Sequence, residues 1–271
     1  MTVGAVASAE ELEEVLSERI LGPDYPCLGA RSVFKRERAT VVLHDDLSAP
    51  ETAAALLAQL REFAETAEPG EGFVSFVAGF RGPEVRDEQH FEEMLWALLQ
   101  RLHEADDEPW APEVSADPED PHFAFSAGGT PFFIVGLHPR ASREARRMPL
   151  PILVFNLHEQ FEALREQGGF DRMRDAIRRR DEELQGSVNP MVSDHGESSE
   201  ARQYSGRKLE RDWEAPFEPD PDAMADSAAQ TGNGTRTGNE TRTGNETQTG
   251  NETQTGNETQ TGNETQGSHH A

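Results

Sequence analysis

The stretch FAFSAGGTPFFIVGLHPR, residues 123–140, decides the fold of this chain. Two apolar runs flank the Gly-Gly pair at 128–129, and this pattern predicts a β-hairpin with strands over 123–127 and 131–137. A third apolar run, at 152–156, continues the sheet. The middle of the chain is therefore expected to be strand-rich.

Outside this centre, the apolar residues recur with helical spacing. The pattern predicts helices over 10–20, 51–67, 87–105, 159–167 and 170–185. Two earlier strands are predicted at 39–43 and 73–80, with 33–34 leading toward the first. We expect one α+β domain over 1–222, with a mixed central sheet of about five strands, flanking helices and a loop at 187–217 that returns to the body.

The C-terminal segment, 223–271, differs in composition. Between 231 and 266 it holds six copies of a hexapeptide, TGNGTR, TGNETR and then TGNETQ, none with an apolar residue. Such repeats cannot offset the entropy cost of ordering, so we expect an acidic, disordered tail. Each repeat contains an Asn-x-Thr sequon, but residues 1–8 lack the features of a secretory signal, which favours an unglycosylated, cytoplasmic protein.

Charge and cysteine content exclude several function classes. The chain carries 25 basic and 51 acidic residues, a net charge of −26, and only two of the basic residues are lysines. So negative a field repels nucleic acid, and no apolar run is long enough to span a membrane. The excess of acidic residues is typical of a halophilic protein, whose acidic surface is screened by high salt. The alternative explanation for this excess is a cationic binding partner. The single cysteine excludes a disulfide framework and a multi-cysteine zinc site.

His138 ends the strand predicted at 131–137, and Arg143 and Arg146 follow it closely. An imidazole beside guanidinium groups is what a haem pocket needs, namely an axial ligand and partners for the propionates. The alternative is a capping histidine with a solvated arginine face.

His158 ends the next strand and is followed by Glu159. Because adjacent strands each end in histidine, we expect the two imidazoles to lie close together, as a ligand pair or as a ligand with an acid–base group.

Three further residues are candidates for the pocket. Cys27 is either a small buried hydrophobe or a thiolate axial ligand. His103 and Trp110 are candidate pocket-wall residues, and the alternative for His103 is a cap at the C-terminal end of the long helix. Among polar side chains, Asp194, Glu197 and Glu200 can bind a guanidinium through bidentate hydrogen bonds, or pair with the arginines of the chain.

Five segments of the chain resemble the YqcI/YcgG family, and the last two resemble in particular its branch of haem-dependent guanidine N-hydroxylases, the pre-guanitoxin N-hydroxylase type. The likeness runs from about Tyr25 to Phe217. The segments are YPCLGARSVFKR, LHEADDEPWAP, PHFAFSAGGTPFFIVGLHPRASREARR, LVFNLHEQFEALR and NPMVSDHGESSEARQYSG.

The resemblance implies a haem b enzyme that uses O2 or peroxide to hydroxylate a guanidino nitrogen of an arginine-like small molecule, with an electron donor that the sequence does not identify. It ranks His138 first as the axial ligand to the haem iron, His158 second and Cys27 third. It also assigns Arg143 and Arg146 to the propionates. A catalytic role falls to His158 and Glu159, and substrate binding to the three acids at 194, 197 and 200 together with Glu159. The rival interpretations are a non-catalytic haem carrier or sensor and a haem-free small-molecule binding module.

Overall fold

The predicted hairpin is present and forms one edge of the sheet. Its strands are β3 (Phe125–Ala127) and β4 (Thr130–Leu137), which pair antiparallel. Gly128 and Gly129 connect them with φ angles of 59° and 69°. This left-handed backbone is the conformation that a two-residue hairpin turn requires, and glycine adopts it without a steric penalty.

The computed structural model of the chain describes residues 6–68, 70, 72–187, 198–221 and 223–224. These residues belong to one unit, Met1–Gly234, whereas the second unit, Thr235–Ala271, lies outside the described ranges. The boundary at 222 and the disorder of the repeats therefore remain predictions.

Three further strands complete the sheet: β1 (Ala39–Asp46), β2 (Ser75–Gly82) and β5 (Ile152–Leu157). The strand order is β1-β2-β5-β4-β3. β1 and β2 are parallel, and the other neighbours are antiparallel. The predicted α+β class with a mixed five-stranded sheet is thus confirmed.

Seven α-helices occur within the described ranges. They are α1 (Ala9–Leu21), α2 (Leu28–Lys35), α3 (Pro50–Thr66), α4 (Glu88–Ala105), α5 (His158–Glu166), α6 (Phe170–Gln185) and α7 (Ala201–Tyr204). None of the helices in this part of the chain combines the length and the apolar character that a membrane crossing requires.

Helix α2 corrects one prediction, because residues 33–34 belong to it and not to a strand. Cys27 is its N-cap, and the Sγ atom accepts a hydrogen bond from the backbone N–H of Ala30 at 3.4 Å. Val33 and Phe34 are buried on one side of the helix. Two consecutive apolar residues are compatible with a buried helix face as well as with a strand, so this short pattern was ambiguous.

The two faces of the sheet are covered differently. One face packs tightly against α3, α4 and α7 through a large cluster of buried aromatic and aliphatic side chains, which includes Trp96, Phe132 and Phe155. The other face packs against α1 and α2 through a smaller cluster, and beside it α5 and α6 follow the last strand. The second face is therefore where space remains for a ligand.

The segment after α6 returns to the body of the protein, as expected. Tyr204 of α7 is fully buried, and its hydroxyl accepts from the N–H of Phe125 at 3.1 Å and donates to the carbonyl of Phe132 at 3.4 Å. Further along, Arg207 donates to both carboxylate oxygens of the buried Glu92 at 3.0 and 3.1 Å. These contacts hold the segment that begins at 198 against the sheet.

Candidate functional site

A cavity of about 320 Å³ lies on the second face of the sheet, between the strands and helices α1, α2, α5 and α6. Its wall is mainly apolar. The strands contribute Ser75, Val77, Phe133, Val135, Leu137, Val154 and Asn156. These are alternate residues of β2, β4 and β5, since successive side chains of a strand point to opposite faces.

The same alternation places His138 away from the cavity. Leu137 lines the cavity, and the next side chain is directed to the α4 side, where the His138 ring stacks on Phe91 with centroids 4.2 Å apart. Its Nδ1 accepts a hydrogen bond from the backbone N–H of Arg140 at 3.2 Å. Burial, with a smaller contribution from the Arg146 charge, lowers the pKa of His138 to about 4. The first-choice axial ligand is thus a buried, neutral imidazole outside the cavity lining.

The expected proximity of His138 and His158 was wrong. β4 and β5 are antiparallel, with Leu137 opposite Ile152 and Phe132 opposite Leu157. The residues that follow the two strands therefore lie at opposite ends of the pair. The prediction assumed that neighbouring strands end at the same edge, which holds only when they are parallel.

Cys27 lies in the cavity wall. Its position at the N-terminus of α2 favours a thiolate, because its Sγ accepts a backbone N–H there and this end of the helix dipole is positive. Burial opposes ionisation more strongly, and the pKa of the Cys27 thiol is raised. A bound metal ion would reverse this balance, because a coordinating thiol is deprotonated.

Glu200 brings a carboxylate to the cavity wall. The residue is 9% exposed, and its Oε2 has no hydrogen-bond partner within the described part of the chain. Its Oε1 lies 3.6 Å from Nε2 of His158, whose Nδ1 lies 3.9 Å from Oε1 of Glu162. Glu159, the neighbour of His158, is on the exposed side of α5. The structure thus brings together His158 and Glu200 from the predicted set, and leaves Glu159 apart.

The two arginines predicted to contact propionates both line the cavity, but their surroundings differ. Arg143 forms a buried ion pair with Asp181 and donates to the Ser187 carbonyl at 2.7 Å. Arg146 donates only to backbone carbonyls, those of Gly136, Gln203 and Tyr204, at 2.9 to 3.1 Å. Burial lowers the pKa of Arg146 to about 10, so the group stays cationic at neutral pH. Of the two cations, Arg146 is the one that forms no ion pair with a carboxylate of the described residues; the charge of Asp181 acts on it from a longer distance.

His103 and Trp110 pack on the opposite side of the sheet and do not line the cavity. Nε2 of His103 accepts the backbone N–H of Asp220 at 2.9 Å, and its ring contacts Trp110 and Phe217. Both are structural there, because α4 covers the first face. Asp194 and Glu197 lie outside the described residues. In the described ranges, no group of three or more His, Cys, Asp or Glu side chains is arranged to hold a metal ion.

Sequence reasoning missed two residues of this region. Tyr25 lines the cavity two positions before Cys27, and its place beside the cysteine was the available signal. Gln160 is buried, and its amide accepts the N–H of Val74 at 3.0 Å and donates to the carbonyl of the same residue at 3.1 Å. These two hydrogen bonds attach α5 to the residue that directly precedes β2. No sequence pattern indicated this role for Gln160.

Comparison with known proteins gives related sequences and a family. The YqcI/YcgG family profile matches residues 16–218. The chain is 29% identical over 210 residues to the uncharacterized protein YcgG of Bacillus subtilis (strain 168), covering 73% of this chain and 83% of that protein. It is 26% identical to the uncharacterized protein YqcI of the same organism over 162 residues, or 58% of this chain and 64% of YqcI.

A third relative is DcsA of Streptomyces lavendulae, which is named as an N(omega)-hydroxy-L-arginine synthase. The identity is 26% over 159 residues, or 55% of this chain and 59% of DcsA. The comparison with solved structures produced no match.

Proposed function

The chain belongs to the YqcI/YcgG family, and on that premise we propose that it is a haem-dependent enzyme that hydroxylates a guanidino nitrogen of an arginine-like small molecule. The observation that carries the proposal is the Oε2 atom of Glu200, which is buried in the wall of a mainly apolar cavity without a hydrogen-bond partner in the described residues. A buried carboxylate in this situation is costly. A guanidinium supplies both the opposite charge and the missing donors.

The relative DcsA supports the substrate class, because its name describes hydroxylation of a guanidino nitrogen of L-arginine. The name belongs to that protein. The application of that name to this chain is part of the proposal, and it agrees with the carboxylate of Glu200, whose Oε2 has no hydrogen-bond partner among the described residues.

The residues around the cavity suit a haem b. The apolar residues of β2, β4 and β5 offer a wall for the macrocycle, Cys27 offers a thiol for the iron, and Arg146 offers a cation that forms no ion pair with a described carboxylate. A bound haem would supply the activation of O2 or peroxide that hydroxylation requires. We therefore place Cys27 before His158 and His138 as the candidate axial ligand.

The chain's own residues would bind and orient the substrate. We expect the Glu200 carboxylate to accept hydrogen bonds from the guanidinium, with the imidazole of His158 3.6 Å from its Oε1. Phe133 and Phe161, whose ring centroids are 5.7 Å apart, contribute aromatic surface to the same cavity and exclude water from it.

The test is an assay for the product. The full chain is supplied with haem, a reductant with O2 or alternatively peroxide, and L-arginine or another guanidino compound. Mass spectrometry then reports whether a product heavier by one oxygen atom forms. We expect product with the wild type and its loss in Glu200→Gln. Stoichiometric haem without product from any guanidino compound would favour a carrier or sensor, and a folded chain that retains no haem would remove the haem mechanism.

A further inference from the structure

Tyr25 presents an unused hydroxyl to the cavity. The residue is 5% exposed, lines the cavity, and its hydroxyl forms no hydrogen bond with any residue that the structure describes. A phenol donates one hydrogen bond and can accept others. A polar group in the wall of a mainly apolar cavity is available to fix the orientation of a ligand.

Arg146 is the natural companion of this hydroxyl. An arginine has five N–H donors, and the three carbonyl contacts of Arg146 leave two of them for a ligand. Tyr25, Cys27 and Arg146 all line the same cavity. The wall thus combines a cation that forms no ion pair with a described carboxylate, a phenol without a described hydrogen-bond partner and the thiol of Cys27.

We propose that Tyr25 and Arg146 form a carboxylate-binding subsite in the cavity, beside Cys27. A carboxylate carries one negative charge, which matches the charge of Arg146, and its oxygens accept hydrogen bonds from a guanidinium and a phenol at the same time. A phosphate would bring a second negative charge into a wall that is otherwise mainly apolar. The chemistry of the subsite therefore favours a carboxylate.

Two ligands of the proposed function can provide this carboxylate, and in that respect the inference rests on the proposed function. One source is a propionate of the haem. The other is the carboxylate of an amino-acid substrate such as L-arginine, whose guanidinium would be bound at Glu200. Glu200 directly precedes α7, and Arg146 contacts the carbonyls of Gln203 and Tyr204 at the end of the same short helix. One helical turn thus separates Glu200 from the carbonyls that Arg146 contacts.

The experiment compares two pairs of probes that differ only in a carboxylate. Haem is compared with haem dimethyl ester by absorbance titration, and L-arginine is compared with agmatine by calorimetry. Each probe is added to the full-length wild type, to Tyr25→Phe and to Ser75→Ala. Ser75 is the matched control, because its hydroxyl also lies in the cavity wall but bonds to Oδ1 of Asn156 at 2.7 Å. Tyr25→Phe removes a hydroxyl that supports no contact in the described fold, so the variant should fold normally.

We expect the wild type to prefer the carboxylate member of one pair, and Tyr25→Phe to lose about tenfold of that preference while Ser75→Ala keeps it. A loss confined to the haem pair identifies the propionate, and a loss confined to the arginine pair identifies the substrate carboxylate. Unchanged preferences in Tyr25→Phe, or no preference in the wild type, overturn the subsite. Agmatine keeps the guanidinium and the amine but has no carboxylate, so its binding and hydroxylation report on the proposed function independently of this result.

Discussion

Oε1 of Glu200 lies 3.6 Å from Nε2 of His158. The other ring nitrogen of His158, Nδ1, lies 3.9 Å from Oε1 of the half-exposed Glu162, so the imidazole stands between the two carboxylates. The residues come from distant parts of the chain, since His158 begins α5 and Glu200 precedes α7. The imidazole lies beside one oxygen of Glu200, and the other oxygen has no hydrogen-bond partner among the described residues. The predictions that follow test this arrangement and the surroundings that support it.

Glu200→Gln should weaken the binding of a guanidinium. The substitution keeps the size of the side chain and removes its charge, so the affinity for L-arginine, or for whichever guanidino compound binds, should fall by about 10- to 100-fold in calorimetry. Glu162→Gln is the matched control, because it removes the carboxylate on the other side of the same imidazole, and we expect little change. Equal affinities in wild type and Glu200→Gln would contradict the proposed role.

The axial ligand can be tested with two variants. Cys27 lines the cavity and His138 does not, so Cys27→Ser should lose the red-shifted ferrous–CO band of a thiolate-ligated haem. His138→Ala should retain haem with the wild-type spectrum, although it should be less stable because the ring stacked on Phe91 is removed. If His138→Ala lost haem while Cys27→Ser kept the wild-type spectrum, His138 would again be the first candidate for the axial ligand.

Stability should decrease in acid because of His138. Its pKa is about 4 in the folded protein, against 6.5 for an unperturbed histidine. Between these values the unfolded chain binds the proton and the folded protein does not, so the contribution is complete above pH 6.5 and is lost as the pH falls toward 4. The expected loss is about 3 kcal/mol.

This loss is measured as the difference between wild type and His138→Phe in urea unfolding at several pH values. Phenylalanine keeps a ring beside Phe91 and cannot titrate in this range. His122→Gln serves as the control, because the His122 side chain is 71% exposed. Parallel pH profiles for wild type and His138→Phe would show that His138 is not the source.

Gly136→Ala should destabilise the protein and disturb the site. A Cβ at position 136 would lie 2.6 Å from the Phe91 ring and 2.8 Å from the carbonyl oxygen of Tyr204. Backbone cannot move aside as a flexible side chain can, so we expect a loss of about 1–3 kcal/mol in the free energy of unfolding. Guanidinium affinity should fall too, because α7 directly follows Glu200.

Gly29→Ala provides the comparison. There a Cβ would meet its nearest atoms at 3.9 and 4.0 Å, which is ordinary contact, and the residue lies within α2. The free energy of unfolding should stay the same or rise by about 0.5–1 kcal/mol. If both variants were equally stable, the close approach of Tyr204 to β4 would not constrain the fold.

Most of the elements could be predicted because their signals are local. The helix predicted at 51–67 is α3, and Pro50 stands at its start as helix-start preferences require. The hairpin was predicted from two apolar runs and a Gly-Gly pair. Helix α2 was missed because only Val33 and Phe34 are fully buried in it and a cysteine is an unusual N-cap.

The candidate site was predicted less completely, because a residue type does not say on which side of the sheet it lies. Cys27, Arg146, His158 and Glu200 proved to be at or beside one cavity. His103 packs on the other face with Trp110. Tyr25 was overlooked although it stands two positions before Cys27, since its hydroxyl without a described partner is visible only in the fold.

The sequence by itself determined the α+β class, the hairpin, most helices and the family, because periodicity, turn glycines and motifs are properties of neighbouring residues. Only the tertiary structure decided which side chains share the cavity. The antiparallel pairing of β4 and β5 separated His138 from His158, and the alternation along β4 directed Leu137 to the cavity and His138 to α4. Strand direction and register arise from pairing between distant segments, and the same pairing leaves Glu200 and Arg146 at a cavity that a ligand can complete.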